Sequence, residues 1–154
     1  MSDVSGTTPD LDLDARLAEI LQRIPYARFL GVRAELAGDE MTAVLPFSQH
    51  LIGNPSLPAI HGGVIGAFME MTAVAQLGLS QLSSATGLVR QPRTIDVTIE
   101  YLRSGRPRTT FARATIKREG RRIANVQVEA WQDTRAAPIA ALHGHFLLGA
   151  KDEA

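Results

Sequence analysis

The chain has 154 residues, 45% of them hydrophobic, with 16 basic and 16 acidic side chains and no net charge. That length suits one domain with a real core, and the charge balance gives no ground for a nucleic-acid or membrane partner. With no cysteine, disulfides, a cysteine nucleophile and cysteine-bound zinc are all excluded.

Residues 1–10 are polar and are expected to be disordered, so the domain is taken as residues 11–150. The N-terminal segment carries no basic stretch followed by an apolar one, so no leader is expected and the location is read as cytoplasmic. Over residues 11–24, Leu13, Leu17, Ile20, Leu21 and Ile24 fall at helical spacing, with Asp10, Asp12 and Asp14 at the start and Pro25 as the stop. Residues 31–47 read as a hairpin turning at Gly38-Asp39-Glu40, and the Gly- and Pro-containing residues 48–60 as an extended loop.

A long helix is predicted over 61–82. Its apolar positions, from Val64 and Ile65 to Leu79 and Leu82, cover most of the circumference, so it should be buried on most sides. A transmembrane reading is disfavoured by Glu70, Thr72, Gln76 and Ser80. After a connection at 83–92, four strands are predicted at 94–102, 109–117, 123–131 and 138–148. In the first of these, Ile95, Val97, Ile99 and Tyr101 share the apolar face, and Thr94 falls opposite. The simplest packing is an α+β domain in which one curved antiparallel sheet wraps the long helix.

Chemistry concentrates at His61-Gly62-Gly63 and Glu70. Two glycines in a first helical turn each cost about 1 kcal/mol relative to alanine. They either admit a ligand to the free N–H groups of the helix start, where a carbonyl oxygen can be held as it becomes an oxyanion, or they allow tight packing against the sheet. Glu70, in the middle of an apolar helix, is either a base or nucleophile at a cleft or part of a narrow solvent-facing stripe. Gly62 and Glu70 lie about 12 Å apart along the helix axis, too far for one helix to bring both to one reacting centre. Two antiparallel copies related by a two-fold axis would bring them together.

The His61-Gly62-Gly63-Val64 segment, with an acid nine residues after the histidine, resembles the hotdog thioesterases of the PaaI and 4-hydroxybenzoyl-CoA thioesterase type. The likeness runs over about residues 30–149 and includes the strand Thr94 to Leu102. It implies a hotdog fold, an acyl-CoA substrate hydrolysed to acid and CoA, no cofactor beyond the CoA of the substrate, and a homodimer or dimer of dimers. Glu70 would attack the thioester or activate water, the Gly62 amide would hold the oxyanion, Gly63 would support the turn and His61 would place the thioester. Asn54 and Thr94 would be polar helpers. Two positions depart from the pattern. Pro55 stands where many members carry Asn or Gln, with Asn54 one place earlier, and Val74 stands where some members position water.

Ten of the basic residues lie between Arg90 and Arg122. Arg103, Arg106, Arg118, Arg121 and Arg122 fall at strand ends or turns, suited either to CoA phosphates or to plain solvation. His143 and His145 share a strand face without a third ligand, so no metal is expected. Two rival readings remain: a hotdog dehydratase acting on a hydroxyacyl thioester, and a non-catalytic acyl-CoA-binding domain.

Overall fold

A computed structural model describes residues 9–82 and 90–149. Residues 1–8, and residues 83–89 of the expected connection, lie outside the described residues.

Helix α1 runs Pro9–Gln22 and buries Leu17 and Leu21. It begins at Pro9, so the last two residues of the segment expected to be disordered belong to it. Pro25 does more than stop it. It opens a second helix, α2 (Pro25–Leu30), because the first helical position needs no N–H and favours the fixed φ of proline. Helix α2 closes on Gly31 at φ 78°, a left-handed turn that glycine adopts without a Cβ penalty.

Strands β1 (Arg33–Ala37) and β2 (Glu40–Leu45) form the expected hairpin. In the following loop a 3-10 turn at Gln49–Leu51 leads into a small ladder of β3 (Ile52–Asn54) and β4 (Ala59–Ile60). Helix α3 covers Gly62–Leu82, followed by β5 (Arg93–Tyr101), β6 (Thr110–Glu119), β7 (Ile123–Trp131) and β8 (Ala140–Leu147). One six-stranded antiparallel sheet runs β1-β2-β6-β7-β8-β5 and packs around α3, the expected hotdog arrangement.

Phe68, Met69, Leu77 and Thr72 of α3 are fully enclosed. Thr72 satisfies its hydroxyl by donating to the Phe68 carbonyl, 2.8 Å away, a bond to the preceding turn that lets a polar residue sit in the core. At Gly78 the helix meets α1 so closely that a Cβ would lie 2.8 Å from Ile20 Cδ1. By length and composition α3 would also suffice to cross a membrane, but most of it is core here.

Two features of β5 depart from the alternation read in the sequence. The strand lies at one end of the sheet order, and while Val97 and Ile99 pack against the core, Ile95 is 51% and Tyr101 54% exposed. The ladder with β8 also slips at Ile95. Thr94 pairs with Phe146, but Asp96 pairs with His145. This extra residue is a β-bulge, and it resets the faces. Cross-strand partners share a face, so Thr94 lies with the buried Phe146 on the helix side, where strict alternation had put it opposite.

Candidate functional site

The start of α3 is built by the loop before it. His61 donates its backbone N–H to Leu51 O at 2.9 Å, and Ile60 donates to Gly105 O at 2.9 Å. Gly53 packs against the same point, since a Cβ there would fall 2.7 Å from His61 Cα. With its backbone held, His61 caps the helix through its ring: Gly63 N–H donates to Nδ1 at 2.9 Å. Nδ1 therefore carries no proton, and the ring proton sits on Nε2. Glycine at position 63 eases this contact, because a Cβ would lie 3.0 Å from that nitrogen and the ring would have to give by a few tenths of an ångström.

The cap leaves one donor over. Val64 and Ile65 donate to His61 O, Gly63 donates to the His61 ring, and among the described residues Gly62 N–H has no acceptor. The Gly62 carbonyl accepts from Tyr101 Oη at 2.7 Å. Gly62 thus presents a free N–H at the positive end of a 21-residue helix. It lines a cleft of about 420 Å³ with Ile60, Ile65, Tyr101, Arg103 and Gly105.

Glu70 lies two turns further along α3 and is half-buried. It lines a different cleft, of about 370 Å³, with Tyr26, Ala67, Met71, Val74 and Thr94. Its carboxylate makes no hydrogen bond or ion pair among the described residues. The wall around it is mostly apolar, and its hydroxyls come from Tyr26 and from Thr94, which the β5 bulge turns inward. The Gly62 and Glu70 clefts share no lining residue, so one chain does not bring the two groups to one centre, as the helix spacing required.

Asn54 is exposed and accepts from Ser56 N–H at 3.0 Å, which makes it a builder of the loop turn before Pro58. Of the arginines, Arg103 lines the Gly62 cleft and Arg122 a separate recess with Arg90 and Arg93. Arg106 is held at its backbone by Gln132, and Arg118 and Arg121 are exposed near the β6–β7 turn. His143 and His145 are exposed. His145 Nδ1 lies 2.9 Å from Asp96 Oδ1, and this bond holds the Asp96 carboxyl below the usual carboxylate range. No group of three metal-ligating side chains occurs among the described residues.

Residues 57–139, which include the helix start, Glu70 and β5, match the family model of the thioesterase superfamily. The chain belongs to the thioesterase superfamily. Medium/long-chain acyl-CoA thioesterase YigI of Escherichia coli K12 is 29% identical over 142 residues, covering 82% of this chain and 86% of YigI. A Chromobacterium violaceum protein of known crystal structure is 36% identical, with a TM-score of 0.68 over 92% of this chain and 97% of its own. A Bacillus halodurans protein crystallised with CoA is 20% identical and shares the fold, with a TM-score of 0.68 over 97% and 98% of the two chains.

For a member of the thioesterase superfamily, several residues around the two clefts went unread in the sequence. Tyr101 looked like one more apolar strand position, yet its hydroxyl fixes the Gly62 peptide. Tyr26 belongs to a six-residue helix too short to show a period, yet it walls the Glu70 cleft.

Proposed function

We propose that this thioesterase-superfamily chain hydrolyses acyl-CoA thioesters at a site shared by two subunits. The observation that carries the reading is a Glu70 carboxylate in a mostly apolar cleft and a Gly62 N–H at the start of the same helix, neither with a partner among the described residues. The acyl-CoA thioesterase activity named for YigI and the CoA in the Bacillus halodurans structure support the substrate class.

A dimer paired through β5 fits this reading. Among the described residues its outer edge is unpaired, and Ile95 and Tyr101, each about half exposed, leave apolar surface that a partner strand would cover. Thr94 lines the Glu70 cleft and Tyr101 the Gly62 cleft. Antiparallel pairing of two β5 strands about an axis near Val97 and Thr98 would set Thr94 of one protomer opposite Tyr101 of the other. Each Gly62 would then face Glu70 of the partner subunit.

In that site the thioester oxygen accepts from Gly62 N–H, and charge that develops on it is stabilised by the helix start. Glu70 takes a proton from water as the water oxygen bonds to the carbonyl carbon, or it attacks that carbon to give an anhydride that water then opens. In the first route the proton taken by Glu70 passes to the sulfur as the C–S bond breaks and CoA leaves as its thiol; in the second CoA leaves as the thiolate and takes its proton from solvent. Glu70→Ala should lower thiol release by about a thousandfold, within the range of a lost general base, without altering the oligomer. Near-normal turnover in that variant would overturn the assignment. Enoyl product without free thiol would favour a dehydratase, and CoA-ester binding without turnover a binding domain.

A further inference from the structure

The glycines at the start of α3 leave one peptide open to rotation. His61 O accepts from Val64 N–H at 3.0 Å, which closes a turn over His61-Gly62-Gly63-Val64. Type I and type II turns both keep this bond and differ by rotation of the central peptide, here the one that joins Gly62 to Gly63. The type II form needs a positive φ at the third residue, which glycine adopts without a Cβ penalty. Position 63 is glycine, so this sequence allows the flip. The structure holds the unflipped form, since among the described glycines only Gly31 and Gly38 have positive φ.

The consequence of a flip follows from helix geometry. At a helix start the N–H groups point out of the N-terminal end and the carbonyls point the other way. A flipped peptide would bring the Gly62 carbonyl oxygen out beside the Gly62 N–H. An oxygen gaining negative charge there would meet a second oxygen instead of a clear donor.

Two side chains pin the peptide, one at each end. Gly63 N–H donates to His61 Nδ1 at 2.9 Å, and Tyr101 Oη donates to Gly62 O at 2.7 Å. Both bonds run through one peptide unit, so each polarises the group that the other uses. Tyr101 reaches the backbone because α3 is bare on that side. A Cβ at Gly62 would lie 3.3 Å from Tyr101 Cε1, and one at Gly66 would lie 2.8 Å from Ile99 Cδ1 and 3.4 Å from Tyr101 Oη. Gly66 costs helix stability relative to alanine and lets the end of β5 lie against the first turn. Burial does not force the bond, because Tyr101 is 54% exposed and water can serve its hydroxyl.

We propose that Tyr101 is a positioning residue: its hydroxyl holds the Gly62–Gly63 peptide in the orientation that offers the thioester oxygen an N–H and keeps the Gly62 carbonyl away from it. The inference rests on the acyl-CoA reading above, in which the Gly62 N–H is the oxyanion donor.

The test is Tyr101→Phe, which keeps the ring on β5 and removes the O–H. A lost neutral hydrogen bond shifts an equilibrium by about fivefold. The Gly63 N–H leaves His61 in the flip, so its amide exchange, followed by NMR, should speed up by about fivefold. In a Gly63→Ala background, where a positive φ is disfavoured, Tyr101→Phe should leave the exchange of that amide unchanged. With an acyl-CoA, kcat should fall about threefold to fivefold while KM stays as it was, and the loss should vanish in the Gly63→Ala background. Gly63 exchange that ignores Tyr101→Phe, or an equal loss of kcat in both backgrounds, would overturn the proposal. A wild-type protein that releases no thiol, while its Gly63 exchange responds to Tyr101→Phe as described, would keep the peptide lock and reject the hydrolase.

Discussion

Replacing Gly62 by proline removes one N–H at a place where a helix does not need it. His61 is the cap and Gly62 the first helical residue, the position at which proline is best tolerated. The added Cβ would meet Tyr101 Cε1 at 3.3 Å and Oη at 3.5 Å, so the ring must give by a few tenths of an ångström. The Tyr101–Gly62 carbonyl bond does not involve the lost N–H. Lower entropy of the unfolded chain returns about 0.4–1 kcal/mol. The net change in stability should stay within about 1 kcal/mol, or about 4 °C in Tm. Catalysis should fall much further. A single lost oxyanion donor costs about a hundred- to a thousandfold in kcat. Gly62→Ala is the matched control, since it brings the same Cβ to Tyr101 and keeps the N–H. Thiol release from an acyl-CoA, followed beside thermal unfolding, separates the two effects. The reasoning is refuted if the proline variant turns over within about threefold of wild type, or if alanine is as damaging as proline.

Ile95→Arg adds a charge at a site already half open in the single chain, so a lone protomer should lose no more than about 0.5 kcal/mol. Sedimentation should show the dimer dissociating and turnover falling with it; a dimer that persists at micromolar concentration would argue against β5 pairing. His145→Ala should return the Asp96 carboxyl to the ordinary range, read by NMR titration, because the hydrogen bond from His145 is the main cause of its lowering. A carboxyl lowered in the folded state contributes stability above the ordinary carboxylate pKa and loses it as pH falls through the lowered value, so the variant should differ from wild type near neutrality and converge with it in strong acid. An unmoved Asp96 titration would remove that account.

Much of this architecture is written locally. The strand Ile123–Trp131 and the helix Gly62–Leu82 show in the sequence because period and side-chain volume are properties of consecutive residues. What did not show depends on distant partners. The inward turn of Thr94 comes from a bulge against β8, invisible in a pattern of alternating residues. Periodicity marked Ile95 and Tyr101 as apolar but not what covers them, and in one chain each stays about half exposed. The helical spacing of Gly62 and Glu70 was readable and pointed beyond the single chain. The cap was not, because a histidine ring accepting from the second residue after it depends on how Leu51 and Gly53 seat its backbone.

The shared site is tested most directly by mixing two inactive proteins. Glu70→Ala and Gly62→Pro protomers are unfolded together and refolded, so that about half the dimers are hybrids. In a hybrid, one site receives an intact Gly62 and an intact Glu70 from different chains, and the other receives neither. Roughly a quarter of wild-type activity should return, against almost none for either variant refolded alone. A mixture no more active than its parents would mean that each site is built within one chain, and the two-subunit account would be wrong.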